Sequence, residues 1–476
     1  RILYRAAYIQ VDFIRYLISI TTSTVWLPNI GRLTEELEIE VAKNFMRSYC
    51  VARNHVQRIA ATVMSDHIKH MSRHILFKRY SPTPDYIPVG PPEAPVIILG
   101  SGLSALTLAL SLHRKAIPFK IYTKDLPLKE DYSRHNYSIL LKANTIQKLW
   151  KLLRISKEQF RKFLMVPYTT PFPNGDLPDF SARVHLRRVE LLLILEFEEK
   201  IEWGCEIKTG SIGSPPLVFP AHIKKTEGNI IFDCMGVHSP IKCAETSEVH
   251  RIVVFRGTTL LAKKLWDQKF SYLFKGRKAY DQMKVDNVVL ELIVDDVSRQ
   301  NGDVTLTYIY SRLCLDHPKC LEDDSLWAPT RSKDEASSPL LIGKFLEELE
   351  IFRLEYILPL AYDEIFNPEN IEMKKDKILH WLMRTKLASQ QNLINLWSSH
   401  KILKLGDAMH GMAIIESIGA EIAIADGIDA AKEIETNGGA MFHSWLINRW
   451  DMKLDHMEAM ENGLHRRYAW RRKMEK

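Results

Sequence analysis

The chain has 476 residues, of which 46% are hydrophobic and 26% are charged, a composition typical of globular proteins with two or three domains. Its net charge of +7 is spread over this length, and no block of lysine and arginine alternates with aromatic residues, so a nucleic-acid groove is not predicted. The six cysteines are scattered without a C-x-x-C pair. They predict neither a disulfide framework nor a zinc site, and they favour a reducing, cytoplasmic location.

Residues 1–80 are predicted to form a helical appendage, because apolar residues recur every four positions at Leu33, Leu37, Val41, Phe45 and Tyr49. An earlier apolar stretch contains two charged residues. It predicts a buried or interfacial helix rather than a membrane span, and peripheral membrane association stays open. His67, His70 and His74 share a helical face, for which a solvated surface is a simpler interpretation than a metal site.

The segment 81–95 contains six prolines in fifteen residues. Proline at this density blocks both helices and sheet ladders, because it lacks an N–H donor and fixes its own backbone. The segment is therefore predicted to be a linker, and the main body of the protein is expected to begin at about residue 96.

A strand, a glycine turn and a helix are predicted directly after the linker. The apolar run at 96–99 meets the spacing Gly100-x-Gly102-x-x-Ala105, and a helical pattern and a second apolar run at 119–122 follow. In such a unit the first glycine makes the turn, the second lets the backbone approach a pyrophosphate, and the small third residue lets the helix pack closely. The helix N-terminus also attracts phosphate. The pattern predicts a dinucleotide site, with an ordinary turn that binds no ligand as the alternative.

The end of the second apolar run departs from this fingerprint. An acidic side chain that accepts hydrogen bonds from ribose hydroxyls is expected there, but the sequence has Thr123, with Lys124 and Asp125 directly behind it. We expect Thr123 and Lys124 to contact the cofactor, Thr123 only weakly. Restoring an acid by Thr123→Glu is therefore predicted to tighten binding.

The rest of the chain divides by its local patterns. We predict a nucleotide-binding domain in two parts, a β-sheet domain between them and a C-terminal helix. The predicted boundaries are 96–245 for the first part, 246–375 for the β-sheet domain, 376–435 for the second part and 436–476 for the helix.

Four segments in this order carry a family resemblance. They are the glycine fingerprint, HLRRVELLLIL, FDCMGVHSPIK and LKLGDAMHGMAIIESIGAEIAIADGIDAA. They resemble motifs of the FAD-dependent aromatic hydroxylases, the para-hydroxybenzoate hydroxylase family, and look closest to its fungal secondary-metabolite branch. The resemblance implies an α/β fold with a Rossmann-like FAD-binding domain of the glutathione-reductase type, an inserted β-sheet substrate domain and helical terminal segments.

The resemblance also implies roles for residues near the end of the chain. Gly406 would end a strand and leave the Asp407 carboxylate to accept hydrogen bonds from the ribityl hydroxyls of FAD. Gly419 and Ala420 would begin a helix whose amides face the pyrimidine edge of the flavin.

Two arginines complete the implied cofactor site. Arg188 matches the family arginine that reaches the flavin, and Arg134 would add positive charge for phosphates or flavin carbonyls. No catalytic base is assigned, although His410 and Arg384 would lie near the expected cavity. No metal site is predicted.

Several positions depart from the family motifs. Met235 stands where the third motif has an aspartate. In the fourth motif the proline is Ile414, a glycine is Ser417 and the asparagine is Glu421. Ser417 would bring a Cβ towards the flavin, and Glu416 would add negative charge beside a group that must accept electrons.

By resemblance, the chain is predicted to be an FAD-dependent monooxygenase that uses NAD(P)H and O2 to hydroxylate or epoxidise a small aromatic or secondary-metabolite substrate through a flavin C4a-hydroperoxide. This class has no separate nicotinamide domain, and the chain has one glycine fingerprint. The departures at Thr123, Met235 and Glu416 keep open a different function, that of a flavin-fold protein without turnover that acts as a scaffold or binding partner.

Overall fold

The computed structural model describes residues 94–128, 130, 136–166, 182–208, 217–220, 223, 229–241, 243, 245–274, 279–314, 326–327, 333–374, 377–411 and 418–468. All of these lie in one compact unit of the chain, residues 88–476. The predicted appendage at 1–80 and nearly all of the predicted linker at 81–95 lie outside the described residues.

Strands and helices alternate in the first half of the described chain, and helices dominate its end. The strands are β1 (Val96–Leu99), β2 (Phe119–Tyr122), β3 (Ser138–Leu141), β4 (Ala182–His185), β5 (Ile201–Glu202), β6 (Ile231–Asp233), β7 (Glu245–Leu261), β8 (Tyr280–Val285), β9 (Val288–Val297), β10 (Val304–Leu313), β11 (Lys377–Ala388), β12 (Ile402–Lys404) and β13 (His410–Gly411). The helices are α1 (Leu103–Arg114), α2 (Ala143–Leu153), α3 (Lys157–Phe163), α4 (Leu186–Ile194), α5 (Lys263–Lys269), α6 (Lys333–Ala336), α7 (Pro339–Glu355), α8 (Leu360–Ile365), α9 (Pro368–Lys374), α10 (Gln390–His400), α11 (Ile418–Asn437) and α12 (Phe442–Tyr468).

A parallel sheet carries the glycine turn. Its strands lie in the order β12-β6-β1-β2-β5, and each adjacent pair is parallel. Strand β1 is buried along its whole length, as its continuous apolar run predicts for a strand covered on both faces. In sheets of this kind, ligands bind at the carboxyl ends of the strands. The glycine turn after β1 and the Gly406 turn after β12 both lie at that edge.

Helix α1 packs closely against helix α11 behind this edge. A Cβ on Gly427 of α11 would lie 2.6 Å from the backbone oxygen of Ser104 and 2.7 Å from the backbone nitrogen of Leu108 in α1. Only glycine fits such a contact without moving one of the helices. The two helices therefore fix the glycine turn and the Gly406 turn relative to each other.

A second sheet is antiparallel and has the strand order β13-β11-β7-β10-β9-β8. One face buries a large apolar cluster against α7, in which the rings of Phe255 and Phe345 stack with their centroids 4.0 Å apart. The opposite face has a smaller apolar cluster of Ile252, Val254, Val289, Ile293, Ile309 and Met383. The described chain is thus a mixed α/β fold with one parallel and one antiparallel sheet.

Strand β11 belongs to the antiparallel sheet, where it pairs with β7 from Lys377↔Thr258 to Ala388↔Glu245. The sequence analysis assigned residues 376–435 to the second part of the nucleotide-binding domain, so the antiparallel sheet extends 13 residues beyond the predicted boundary at 375 (388 minus 375). The difference arises because a strand's own sequence does not specify its partner.

Within the described ranges, no helix is long and apolar enough to cross a membrane. The apolar stretch near the start of the chain lies outside those ranges.

A glycine in the antiparallel sheet is tightly covered by an aromatic ring. Gly257 of β7 lies directly opposite Tyr308 of β10, and a Cβ at position 257 would come within 2.0 Å of the Tyr308 ring. That ring is fully buried and meets Phe366 edge-on, so it has little room to move. Glycine is thus required here by packing.

We therefore expect Gly257→Ala to lower the free energy of unfolding by about 1–3 kcal/mol, the usual cost of overpacking. Urea denaturation would measure the change. Gly343→Ala is the matched control, because a Cβ on this residue of α7 meets nothing within 4 Å. The control should be neutral or stabilising by up to about 1 kcal/mol, since alanine favours a helix. Equal stability of the Gly257 variant and the wild type would contradict this interpretation.

Candidate functional site

The turn between β1 and α1 has the geometry of an anion cradle. Gly100 has φ +101°, and a Cβ there would lie 2.5 Å from the carbonyl oxygen of Cys234, so only glycine fits. A Cβ on Gly102 would meet nothing within 4 Å, which leaves open space above the turn. Helix α1 has no acidic residue in its first turn and no side-chain cap, so its first N–H groups point into that space. Ala105 is fully buried.

The end of β2 differs from the prediction. Thr123 is 2% exposed, and its hydroxyl donates to Asp125 Oδ2 at 2.9 Å. The Ser101 hydroxyl, inside the glycine turn, donates to the same oxygen at 2.7 Å. Lys124 is exposed. The structure therefore brings a carboxylate to the turn from a residue that the sequence analysis did not select.

Asp407 lies at the same edge of the parallel sheet, in the 3-10 turn Gly406–Ala408. Its side chain is solvent-accessible, and no described residue gives its carboxylate a hydrogen bond. Burial by the surrounding protein raises the pKa of Asp407, and the charge of Lys453 opposes this shift. An accessible carboxylate at this edge of the sheet can accept hydrogen bonds from a ligand.

A buried charge cluster holds the backbone of this turn. Asp426 of α11 accepts a hydrogen bond from the Gly406 N–H at 3.1 Å and from Lys453 Nζ of α12 at 2.7 Å. Arg449 of α12 lies 2.9 Å from its other oxygen. Burial alone would raise the pKa of Asp426, but Lys453, His410 and Arg449 outweigh burial and hold that pKa well below its ordinary value. Asp426 is therefore ionised and anchors the turn.

His410 belongs to this cluster and not to an open cavity. The ring is completely buried, and Nε2 lies 3.5 Å from Asp426 Oδ2. Burial, aided by Lys453, lowers the pKa of His410, so the ring is neutral. Arg384, the other residue considered near the cavity, is exposed on β11. Neither geometry is that of a catalytic base beside a substrate.

The departure at Met235 is linked to a buried ion pair. Asp233, two residues earlier, ends β6 fully buried, and Lys404 Nζ of β12 lies 3.1 Å from its Oδ2. The carboxylate also accepts from the Ser239 hydroxyl at 2.6 Å and from the Met235 N–H at 3.2 Å. The carboxylate nearest to Met235 is thus that of Asp233, which lies inside the sheet and is paired there with Lys404.

Gly419 and Ala420 lie in the first turn of α11, and both are half-buried. Glu421, which replaces an asparagine of the family motif, accepts a hydrogen bond from the backbone N–H of Lys142, and its other oxygen lies 3.6 Å from Lys142 Nζ. Its charge is therefore used at the start of α2. Ile414, Glu416 and Ser417 lie outside the described residues.

Of the two arginines predicted to contact the cofactor, the structure describes only Arg188. Arg188 of α4 forms an ion pair with Asp296 of β9, so its charge is already compensated by the antiparallel sheet. Arg134 lies outside the described residues. The sequence analysis missed Tyr137 and Arg256, whose guanidinium lies 4.1 Å from the centre of the Tyr137 ring. Burial raises the pKa of Tyr137, and the Arg256 charge opposes this shift.

These features fit FAD over the part of the site that is described. The open position at Gly102 and the uncapped helix suit a pyrophosphate, and the Asp407 carboxylate suits the polyol of a ribityl chain.

Within the described ranges, no group of histidine, cysteine and carboxylate side chains is arranged to hold a metal ion. The three histidines at 67, 70 and 74 lie outside those ranges.

No family model matches the chain. Among curated proteins, it is 24% identical over 384 residues to FAD-dependent monooxygenase aptC of Emericella nidulans, covering 72% of this chain and 87% of that one. It is 22% identical to FAD-dependent monooxygenase nscC of Arthroderma otae, covering 72% and 85%. It is also 21% identical to the dual O-methyltransferase/FAD-dependent monooxygenase CTB3 of Cercospora beticola, of which it spans only 42%.

Solved structures agree on the fold. The chain superposes on 2,6-dihydroxypyridine-3-hydroxylase from Arthrobacter nicotinovorans with a TM-score of 0.59 at 15% identity, covering 79% of this chain and 93% of that one. It superposes on CtdE, solved in complex with FAD and a substrate, with a TM-score of 0.51 at 13% identity, covering 76% and 88%. These comparisons confirm the resemblance predicted from the sequence: the chain is similar in sequence to fungal FAD-dependent monooxygenases and has the fold of the FAD-dependent hydroxylases.

Proposed function

We propose that the chain is an FAD-dependent monooxygenase that uses NAD(P)H and O2 to hydroxylate or epoxidise a small organic substrate. The observation that carries this proposal is the pairing of two open features at one sheet edge. The N-terminus of α1, with open space at Gly102, faces the same edge as the Asp407 carboxylate, which no described residue bonds. One elongated ligand with a pyrophosphate and a polyol would satisfy both.

In this proposal the parallel sheet forms a Rossmann-like FAD-binding domain and the antiparallel sheet roofs the substrate. The amides at the start of α1 bind the pyrophosphate, Asp407 accepts from the ribityl hydroxyls, and the amides of Gly419 and Ala420 face the pyrimidine edge. The bound FAD would supply two-electron chemistry, taking electrons from NAD(P)H and activating O2 for transfer of one oxygen atom. Residues 1–80 stay a predicted appendage and 81–95 a predicted linker.

The substrate would lie between the Gly406 turn and the face of the antiparallel sheet that carries Arg256. That face also has the apolar side chains of Ile252, Val254 and Met383, which suit an organic ring. Tyr137 stays protonated because burial raises its pKa, and the Arg256 guanidinium lies over its ring. Polar side chains of the same face, such as the buried Glu291 and Thr307, would orient the substrate, and the apolar side chains would exclude water.

The test uses the whole purified chain. After addition of FAD and gel filtration, the visible spectrum shows whether flavin is retained, and NADPH or NADH is then added in air with oxygen consumption recorded. Retained flavin with oxidation of the nicotinamide supports the monooxygenase. Retained flavin without oxidation, across a panel of phenolic substrates, would favour the scaffold, and failure to retain FAD would overturn the proposal.

Asp407→Ala is expected to weaken FAD binding by about 1.5–3 kcal/mol, roughly 10- to 150-fold in Kd, because the ribityl chain loses a charged acceptor. Titration by flavin fluorescence measures the change. Asp451→Ala is the matched control, since Asp451 is an exposed carboxylate on α12. Unchanged affinity in the Asp407 variant would mean that FAD does not use this carboxylate.

A further inference from the structure

A cavity of about 290 Å³ lies between helix α7 and the turn that joins β8 to β9. Its walls include Val288 of β9, Tyr310 of β10 and Phe352 of α7. These three residues belong to the large apolar cluster that α7 covers, so the cavity lies on that side of the antiparallel sheet. The proposed substrate position is on the opposite face, and the cavity is therefore a separate feature of the surface.

The charge of this cavity is negative, although the whole chain has a net charge of +7. Its lining includes one guanidinium and three carboxylates, which belong to Arg312, Asp286, Glu348 and Glu355. Arg312 Nε donates to Glu348 Oε1 at 2.7 Å, and the Tyr310 hydroxyl donates to the same oxygen. Glu348 Oε2 receives no hydrogen bond from a described residue, and Glu355 is exposed. A basic group that entered the cavity would therefore meet uncompensated negative charge.

An exposed apolar ridge, formed by Ile351, Leu354 and Ile357, continues from the cavity. Ile351 lines the cavity, and Leu354 follows it by three residues on the same face of α7. Ile357 directly follows Tyr356, which also lines the cavity. Leu354 is 83% exposed, and Ile357 is fully exposed. Single exposed apolar side chains are ordinary, but a continuous group of them beside a cavity is typical of a surface that binds another protein.

We propose that the cavity and the ridge form a docking surface for a basic amphipathic segment of a partner protein. Apolar side chains of the segment cover the ridge, and a lysine or arginine enters the cavity. There its charge faces Glu348 and Glu355, and its alkyl stem packs against the rings of Phe352 and Tyr356, whose centroids lie 4.9 Å apart.

Charge complementarity selects this occupant over others. An acidic segment would be repelled by the carboxylates of the cavity, which suppresses binding of the wrong partner. A purely apolar segment would remove water from those carboxylates and give them no partner, which is costly. A segment with both apolar and basic side chains satisfies the ridge and the cavity together.

Fluorescence anisotropy with the whole purified chain tests this docking surface. The probe is a labelled peptide of about 18 residues, five helical turns, with leucine on one face and lysine on the other. A matched peptide has glutamate at every lysine. We expect the lysine peptide to bind at least tenfold more tightly, and its binding to weaken as salt is added. Equal affinities of the two peptides, or no binding of the lysine peptide, would overturn the proposal.

Two substitutions at exposed positions locate the binding without disturbing the fold. Leu354→Ser should weaken the lysine peptide by about tenfold or more, and Glu355→Lys by about threefold. The matched controls are Leu195→Ser and Glu199→Lys, which change an exposed leucine and an exposed glutamate elsewhere. The controls should bind as the wild type does. Equal losses in the controls and in the Leu354 and Glu355 variants would mean unspecific attraction and would overturn the proposal.

A second copy of the chain is the other occupant that an apolar ridge allows. Sedimentation velocity of the chain without peptide tests it. A wild type that self-associates, and that becomes monomeric through Leu354→Ser, would assign the surface to a dimer and overturn the proposal. An association state that does not depend on Leu354, together with hydrogen exchange that slows in α7 when the lysine peptide binds, would support the partner segment.

Discussion

Asp426→Ala is expected to lower the free energy of unfolding by about 3–5 kcal/mol, the usual cost of breaking a buried ion pair from one side. The substitution would leave Lys453, which is 1% exposed, and the largely buried Arg449 without this carboxylate. It would also remove the acceptor of the Gly406 N–H. FAD affinity should fall with stability, because the turn that presents Asp407 loses its anchor.

Asp429→Ala is the matched control for that result. Asp429 lies three residues further along α11 and pairs with the same Arg449 at 3.1 Å, but its side chain is 36% exposed. Pairs that are open to solvent contribute about 0–1 kcal/mol, so the control should unfold almost as the wild type does. Urea denaturation at neutral pH measures both variants. A loss below about 1 kcal/mol in Asp426→Ala would show that the cluster does not anchor the turn.

Lys404→Met is expected to have a comparable effect, about 3–5 kcal/mol, because it leaves the fully buried Asp233 without its cation. Methionine fills a similar volume, so the loss would reflect charge and not a cavity. Asp233 keeps only neutral donors, the Ser239 hydroxyl and the Met235 N–H.

The double variant Asp233→Ala/Lys404→Met provides the decisive comparison. Replacing a whole buried ion pair by apolar side chains is often neutral, so the double variant should be more stable than Lys404→Met alone. The two residues face each other across the parallel strands β6 and β12, and their effects should be far from additive. Additive losses would mean that the two charges do not interact in the folded protein.

The elements around the glycine turn could be predicted because local sequence determines them. The apolar runs of β1 and β2 and the spacing of Gly100 and Gly102 specify a strand, a turn and a helix without reference to distant residues. The Gly-Asp turn at 406–407 could be located for the same reason.

The contacts that hold the site could not be predicted, because they join residues far apart in the chain. Lys453 lies in a helix of ordinary amphipathic pattern, and only the packing of α12 brings it to Asp426, 27 residues earlier. Asp125 could have been considered, since it lies two residues beyond the expected acid, but the fold-back of its side chain onto Ser101 is a tertiary contact. The pairing of β11 with β7 likewise depends on the whole sheet.

Helix α12 stabilises the turn at residue 406 through two of its basic residues. Lys453 and Arg449 hold Asp426, and Asp426 holds the backbone of the turn at residue 406. If α12 unfolds locally as far as residue 449, the turn at residue 406 therefore loses its anchor at the same time. We expect the amide protons of α12 and of the turn to exchange as one cooperative unit. A ligand that binds the turn would then slow hydrogen exchange in α12 as well.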